Sequence, residues 1–98
     1  MAYYVVLNFD IEDAEAFREY ERRVAGTLPS DVKVLIFDDE QNDWEGHSRC
    51  RLVLLEFESA AAASQWYASE GYQQAAPYRR ASTAGWVRGV VPFGKARR

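Results

Sequence analysis

The order of apolar and amphipathic segments constrains the fold of this chain more than any other feature. Four short segments rich in aliphatic, β-branched and aromatic residues have the composition of β-strands: 3–9, 32–37, 51–57 and 86–91. An amphipathic helical segment separates the first two strands, and an alanine-rich helical segment separates the last two. Two strand–helix–strand units predict a ferredoxin-like α+β fold (βαββαβ), a four-stranded antiparallel sheet with its helices on one face.

Local signals predict where the helices begin and break. Asp13 and Ser59 precede the two helical segments and have side chains that cap the first backbone N–H groups of a helix. Gly71 is expected to interrupt the alanine-rich helix. Residues 72–82 then predict a second helical piece that is kinked or restarted at Pro77, because proline removes a helical hydrogen bond.

The predicted strands carry apolar residues at consecutive positions, as in VVL (5–7), VLI (34–36) and LVLL (52–55). Side chains of a strand alternate between the two faces of a sheet, so these runs place apolar side chains on both faces. The helices of a ferredoxin-like fold cover only one face. We therefore expect two copies of the chain to pair through their open sheet faces as a homodimer.

Several short motifs follow one another in a characteristic order between Tyr4 and about Gly89. They are Asp13, Glu15, Ala16, Phe17 and Tyr20 in the first helix, then Leu55-Glu56-Phe57, Trp66-Tyr67, Ser69 with Tyr72-Gln73, and Pro77 with Arg79 and Ala81. This series resembles the bacterial family catalogued as domain of unknown function 1330. The resemblance implies a dimeric α+β barrel, in which ferredoxin-like units pair through their sheets. A chain of 98 residues has room for one such domain, predicted at residues 1–91, and a short basic tail at 92–98.

Two polar residues are candidates for acid–base catalysis. His47 is the only histidine, the residue type whose ordinary pKa lies nearest to neutral pH, and it lies with Trp44 in a polar loop at the expected mouth of a cleft. A solvated loop residue is the alternative interpretation of His47. Glu56 interrupts an apolar strand and, if it faces inward, needs a partner such as Arg51 or Arg79. It is either one half of a structural salt bridge or an acid that faces a ligand.

A group of aromatic residues predicts a ligand-binding cleft. Trp66, Tyr67 and Tyr72 lie within seven positions of each other, and Arg79 follows at helical spacing. Tyrosine hydroxyls and a guanidinium could surround a small ligand that bears a carbonyl or carboxylate, with Tyr72 and Arg79 as catalytic candidates. Core packing is the alternative for the aromatic rings. Asn8, inside the first strand, either satisfies the backbone or lines the same cavity.

The composition argues against several kinds of chemistry and partner. One cysteine and one histidine cannot form a disulfide framework or an ordinary zinc site, so no metal or cofactor is expected. The basic residues are scattered, which argues against a nucleic-acid surface. No segment approaches the roughly 20 apolar residues that span a bilayer, and no secretory signal is recognisable, so we expect no membrane contact and a cytoplasmic protein.

A homodimer that binds a small organic ligand is the favoured interpretation of the sequence. Three functions remain open. The resemblance to the barrel superfamily implies, by analogy, a cofactor-independent enzyme of the isomerase, cyclase or monooxygenase type with a small aromatic or polyketide-like substrate. A ligand-binding or sensing module without chemistry is the second. The third is a structural accessory subunit whose partner contacts the acidic loop 38–45.

Overall fold

The computed structural model describes residues 2–95 of the chain. Its elements, in chain order, are β1 (Tyr3–Ile11), α1 (Ala14–Val24), β2 (Lys33–Asp38), β3 (Arg51–Phe57), α2 (Ala60–Ala68), α3 (Glu70–Ser82) and β4 (Thr83–Val90). The strands form one antiparallel sheet in the order β2-β3-β1-β4. The predicted ferredoxin-like α+β fold is therefore confirmed.

The predicted caps are present, but the break between the last two helices is not where the sequence suggested. Asp13 accepts hydrogen bonds from two backbone N–H groups of α1, and Ser59 accepts one from α2. The chain leaves α2 at Ser69, whose extended backbone and hydroxyl cap the start of α3. Gly71 lies in the first turn of α3, and α3 continues through Pro77. The prediction of a restart at Pro77 was wrong, because a side-chain cap at Ser69 stops one helix and starts the next.

The two faces of the sheet differ in how well they are covered. The helix-facing side of β1 and β3 carries the buried residues Val5, Leu7, Phe9, Leu55 and Phe57, which form the core with residues of all three helices. On the other side, here called the open face, no helix of residues 2–95 is packed. Its apolar residues, placed by strand register, are Tyr4, Val6, Ile36, Leu52, Leu54, Trp86 and Val90.

The remaining parts of the chain are irregular. Residues 39–50 form a long polar loop between β2 and β3, as predicted. The predicted tail 92–98 is described as far as Lys95, and its last three residues lie outside the described part of the chain. Within residues 2–95, no helix has the length and apolar character that crossing a bilayer requires.

Candidate functional site

A cavity of about 230 Å³ lies between α1 and the helix-facing side of the sheet. We call it the α1–sheet cavity. Its lining is mainly aliphatic and aromatic, and comprises Leu7, Phe9, Phe17, Tyr20, Glu21, Val24, Leu28, Val34, Phe37, Arg51, Val53, Leu55 and Trp66. Binding sites for small molecules have this character, an apolar wall with a few polar groups.

The periodicity of two elements, β3 and α1, builds much of this lining. On β3, the alternating residues Arg51, Val53 and Leu55 share the helix-facing side. On α1, Phe17 and Tyr20 are buried three residues apart, on the stripe that faces the sheet. Their rings are 5.5 Å apart, centroid to centroid. The wall of the cavity is thus a direct result of strand and helix periodicity.

Arg51 is the one basic side chain of the lining, and it is already neutralised. Its guanidinium donates two hydrogen bonds to Asp39, at 2.8 and 2.9 Å, and lies 3.6 Å from a carboxylate oxygen of Glu21. It also stacks over the rings of Phe37 and Phe17, at 4.5 and 5.4 Å. The hydrogen bond from Arg51 lowers the pKa of the Asp39 carboxyl below its usual value. Arg51 and its two carboxylates together carry a net negative charge, which disfavours an anionic ligand.

Beside the α1–sheet cavity lies a buried hydrogen-bonded chain of two tyrosines and one arginine, of which Tyr20 belongs to the lining. The hydroxyl oxygens of Tyr20 and Tyr72 are 3.3 Å apart, and the Nε–H of Arg79 donates to the Tyr72 oxygen at 3.3 Å. Tyr72 is 0% exposed and Arg79 8% exposed. Burial raises the pKa of the Tyr20 hydroxyl far above its usual value, Tyr72 adds to the rise, and Arg79 opposes it. Tyr20 therefore stays protonated at physiological pH.

The aromatic residues that the sequence singled out do lie together. The Trp66 and Tyr72 ring centroids are 4.3 Å apart, and those of Tyr67 and Tyr72 are 5.4 Å apart. Trp66 also donates its indole N–H to the hydroxyl of Thr27 at 3.0 Å. Only Trp66 of this group lines the α1–sheet cavity, whereas Tyr67 lines a second cavity of about 300 Å³ between α2, β1 and β4.

Asn8 and Glu56 lie on the other side of the sheet, on its open face. The amide of Asn8 donates to the carbonyls of Arg49 and Arg51, at 3.2 and 2.9 Å, and accepts from the Arg49 N–H at 3.1 Å. Asn8 thus satisfies the backbone where the long loop enters β3. Glu56 is half-buried, and its Cα partner on β2 is Lys33.

The expectation that Arg51 or Arg79 pairs with Glu56 was wrong. Arg51 has the opposite parity to Glu56 on β3, so its side chain lies on the helix-facing side, where it binds Asp39 and Glu21. Arg79 belongs to α3, in the helix layer, and donates to Tyr72. The sheet therefore separates Glu56 from both guanidinium groups.

His47 and Trp44 lie in the long loop, away from the cavity lining. The His47 side chain is 95% exposed, and its Nδ1 is 3.5 Å from a carboxylate oxygen of Asp43. Trp44 is 92% exposed. The structure does not bring these two residues together with Tyr72 and Arg79.

Sequence reasoning missed the residues that form most of the lining. Phe17 and Tyr20 lie on the apolar side of the amphipathic first helix, a position that indicates a core residue as much as a cavity wall. Arg51 could have been found from its strand parity with Val53 and Leu55. Among residues 2–95, no group of three or more histidine, cysteine, aspartate and glutamate side chains is arranged to hold a metal ion.

The sheet order and the helices on one face define a ferredoxin-like α+β protein. The family model named Domain of unknown function (DUF1330) matches residues 2–90, so the chain belongs to this family. The resemblance seen in the sequence motifs is thereby confirmed. A search of curated proteins gave no match.

Solved structures from several bacteria share the fold. The RPA0582 protein of Rhodopseudomonas palustris, of unknown function, matches with a TM-score of 0.78 and 16% identity, over 96% of this chain and 84% of that chain. SnoaB of Streptomyces nogalater, a cofactor-independent oxygenase, matches with a TM-score of 0.64 and 15% identity, over 96% and 95%. Rv0793 of Mycobacterium tuberculosis matches with a TM-score of 0.59 and 15% identity, over 99% and 100%. At such identities the likeness establishes the fold alone.

Proposed function

We propose that this protein is a homodimer in which each chain binds a small aromatic or polyketide-like molecule in its α1–sheet cavity. The observation that carries the proposal is the cavity itself. It combines a largely apolar wall with the aromatic rings of Phe17, Phe37 and Trp66 and with very few polar groups. Such a lining favours a flat apolar ligand through burial of its surface and through ring–ring contacts.

The open face supports the dimer part of the proposal. Ile36 and Trp86 are 39% and 37% exposed there, beside the half-buried Val6, Leu52 and Leu54. A contiguous apolar surface of this kind is a typical protein–protein contact. A second copy of the chain fits best, because membership of this family implies sheet-to-sheet pairing.

A catalytic role for the same cavity is the second candidate. SnoaB, which has this fold, is described as a cofactor-independent oxygenase. The Arg79–Tyr72–Tyr20 chain could polarise a carbonyl group, as a cofactor-independent isomerase, cyclase or monooxygenase requires. Under this candidate, Tyr72→Phe and Arg79→Met abolish turnover while the protein stays folded. A binding or sensing module, or an accessory subunit, shows no turnover in the wild type.

Binding of indane, a small bicyclic hydrocarbon, tests the ligand site. We expect isothermal titration calorimetry to show one indane site per chain. Val53→Phe adds a ring to the cavity wall and should weaken binding at least about tenfold by filling the space. Val87→Phe is the matched control, since Val87 lies on the same side of the sheet but lines the second cavity.

The two variants also define the result that would contradict the proposal. Equal indane affinity of Val53→Phe and the wild type, with both proteins folded by circular dichroism, would place the ligand elsewhere. Absence of indane binding by the wild type would contradict the proposal as a whole.

A further inference from the structure

The direction of the hydrogen bonds in the buried Arg79–Tyr72–Tyr20 chain can be worked out from the chemistry of its groups. A guanidinium has donors and no acceptor, so the Nε–H of Arg79 must donate to the Tyr72 oxygen. Among residues 2–95, no carboxylate forms an ion pair with Arg79. Its charge therefore acts mainly on the tyrosine hydroxyls.

The proton of Tyr72 has one neighbour that can accept it. Tyr72 is completely buried, and the oxygen of Tyr20, at 3.3 Å, is its one hydroxyl partner among the described residues. If Tyr20 donated instead, the Tyr72 proton would be buried without an acceptor, at the cost of desolvating that donor. Tyr20 is also buried, at 6% exposure, but it lines the α1–sheet cavity, so donation from Tyr72 leaves the Tyr20 proton free to meet a ligand there.

Tyr20, unlike Tyr72, lines the α1–sheet cavity. We propose that the Arg79–Tyr72–Tyr20 chain makes the Tyr20 hydroxyl a hydrogen-bond donor inside the cavity, which selects ligands that carry a carbonyl oxygen. Successive donation from the arginine polarises each hydroxyl in the same direction and strengthens the last donor.

This inference deepens the proposed function and rests on it, because it names the ligand class of the same cavity. Arg51 already binds Asp39 and Glu21, so it is a poor partner for a ligand carboxylate. Tyr20 then offers the cavity a hydroxyl proton that Tyr72 does not take up. A neutral aromatic ketone matches this combination of one donor, an apolar wall and a negative border.

Indane and 1-indanone test the proposal, because they share the same bicyclic frame and differ by one carbonyl oxygen. The quantity measured in each variant is the ratio of the two dissociation constants. The hydration of the free ligands is the same for every variant, so it cancels when the ratios are compared. We expect Tyr20→Phe to reduce the preference for the ketone about three- to tenfold, as the loss of one hydrogen bond predicts. Tyr72→Phe keeps the Tyr20 hydroxyl but breaks its link to Arg79, and should give a smaller reduction.

Tyr78→Phe is the matched control for these variants. Tyr78 lies on α3 like Tyr72, but it does not belong to the hydrogen-bonded chain. The ratio should stay at the wild-type value in this variant. An unchanged ratio in Tyr20→Phe, with indane still bound, would overturn the Tyr20 donor while leaving the proposed ligand site intact. If neither compound binds the wild type, both proposals fail.

A measurement on the wild-type protein avoids any effect of mutation on folding. The carbonyl carbon of 1-indanone labelled with ¹³C should move downfield on binding, relative to its position in an apolar solvent, because a hydrogen bond deshields it. A bound resonance at the apolar-solvent position would overturn the proposal.

Discussion

The two faces of the sheet are made from the same strands but are completed in different ways. Leu54 and Leu55 are neighbours on β3 and point to opposite sides. Leu55, on the helix-facing side, is 5% exposed, lies in the core and lines the α1–sheet cavity. Leu54, on the open face, is half-buried, and none of the three described helices covers it.

The difference in coverage indicates that the two faces of the sheet have different roles. The helix-facing side is completed within one chain and still leaves a cavity, because α1 stands off the β2–β3 half of the sheet. The open face keeps apolar side chains that one chain does not cover. We infer that the first side binds the ligand and the second binds another copy of the chain.

Leu55→Ala should have the largest effect on the stability of the protein. Removal of a buried leucine side chain costs about 2–5 kcal/mol in the free energy of unfolding, through lost burial and the cavity that remains. Urea denaturation followed by circular dichroism measures this loss. The variant should still dimerise, since its open face is unchanged, and a monomer at the same concentration would contradict the division between the faces.

Leu54→Asp should break the dimer and leave the cavity intact. It places a charge in the centre of the proposed interface, twice per dimer, and should raise the dissociation constant of the dimer at least about a hundredfold. Analytical ultracentrifugation measures the mass, and indane binding reports whether the cavity persists. Arg80→Asp, on the exposed side of α3, is the control that should remain dimeric. A dimeric Leu54→Asp protein would show that another surface forms the dimer.

Acid should weaken the Asp39–Arg51 pair at the border of the cavity, with a smaller effect on stability than the loss of the Leu55 side chain. The Asp39 carboxyl has a folded-state pKa below its ordinary value of 3.8 because Arg51 donates to it. Its contribution to stability is therefore present above that ordinary value and is lost as the pH falls through the lower folded-state pKa. Since the side chain is 41% exposed, this contribution is below about 1 kcal/mol.

Asp39→Asn provides the measurement of this contribution. Its free energy of unfolding should fall less than that of the wild type between about pH 4 and pH 2, since the linked proton uptake is removed. An equal fall in both proteins would contradict the assignment of that pH dependence to the Asp39–Arg51 pair.

His47→Ala should have the smallest effect on ligand affinity. His47 is 95% exposed and does not line the α1–sheet cavity. Indane affinity should remain within about twofold of the wild-type value, since the residue makes no cavity contact. A larger loss would bring the long loop into the binding site, and loss of turnover without loss of affinity would support the catalytic role predicted from its sequence.

Much of the fold could be predicted because it depends on local patterns. Strand composition, the caps at Asp13 and Ser59, and the consecutive apolar positions of the strands were sufficient for the element order and for the sheet with one open face. The break at Ser69 was missed, because glycine and proline gave stronger local signals than a serine that caps two helix ends.

The candidate site was less predictable because its contacts join distant parts of the chain. Tyr20 and Tyr72 are 52 positions apart, and nothing in their local sequence indicates that their hydroxyls meet. Arg51 was considered as a partner of Glu56, although strand parity places them on opposite faces. His47 attracted attention for its chemistry, and the structure places it in solvent.

The proposed aromatic ligand occupies the helix-facing side of the sheet. Isotope-filtered nuclear Overhauser measurements with methyl-labelled leucine test it directly, because Leu55 and Leu54 report the two faces from adjacent positions. The aromatic protons of 1-indanone should show contacts with the Leu55 methyl groups and none with those of Leu54. Contacts with Leu54 in place of Leu55 would contradict it.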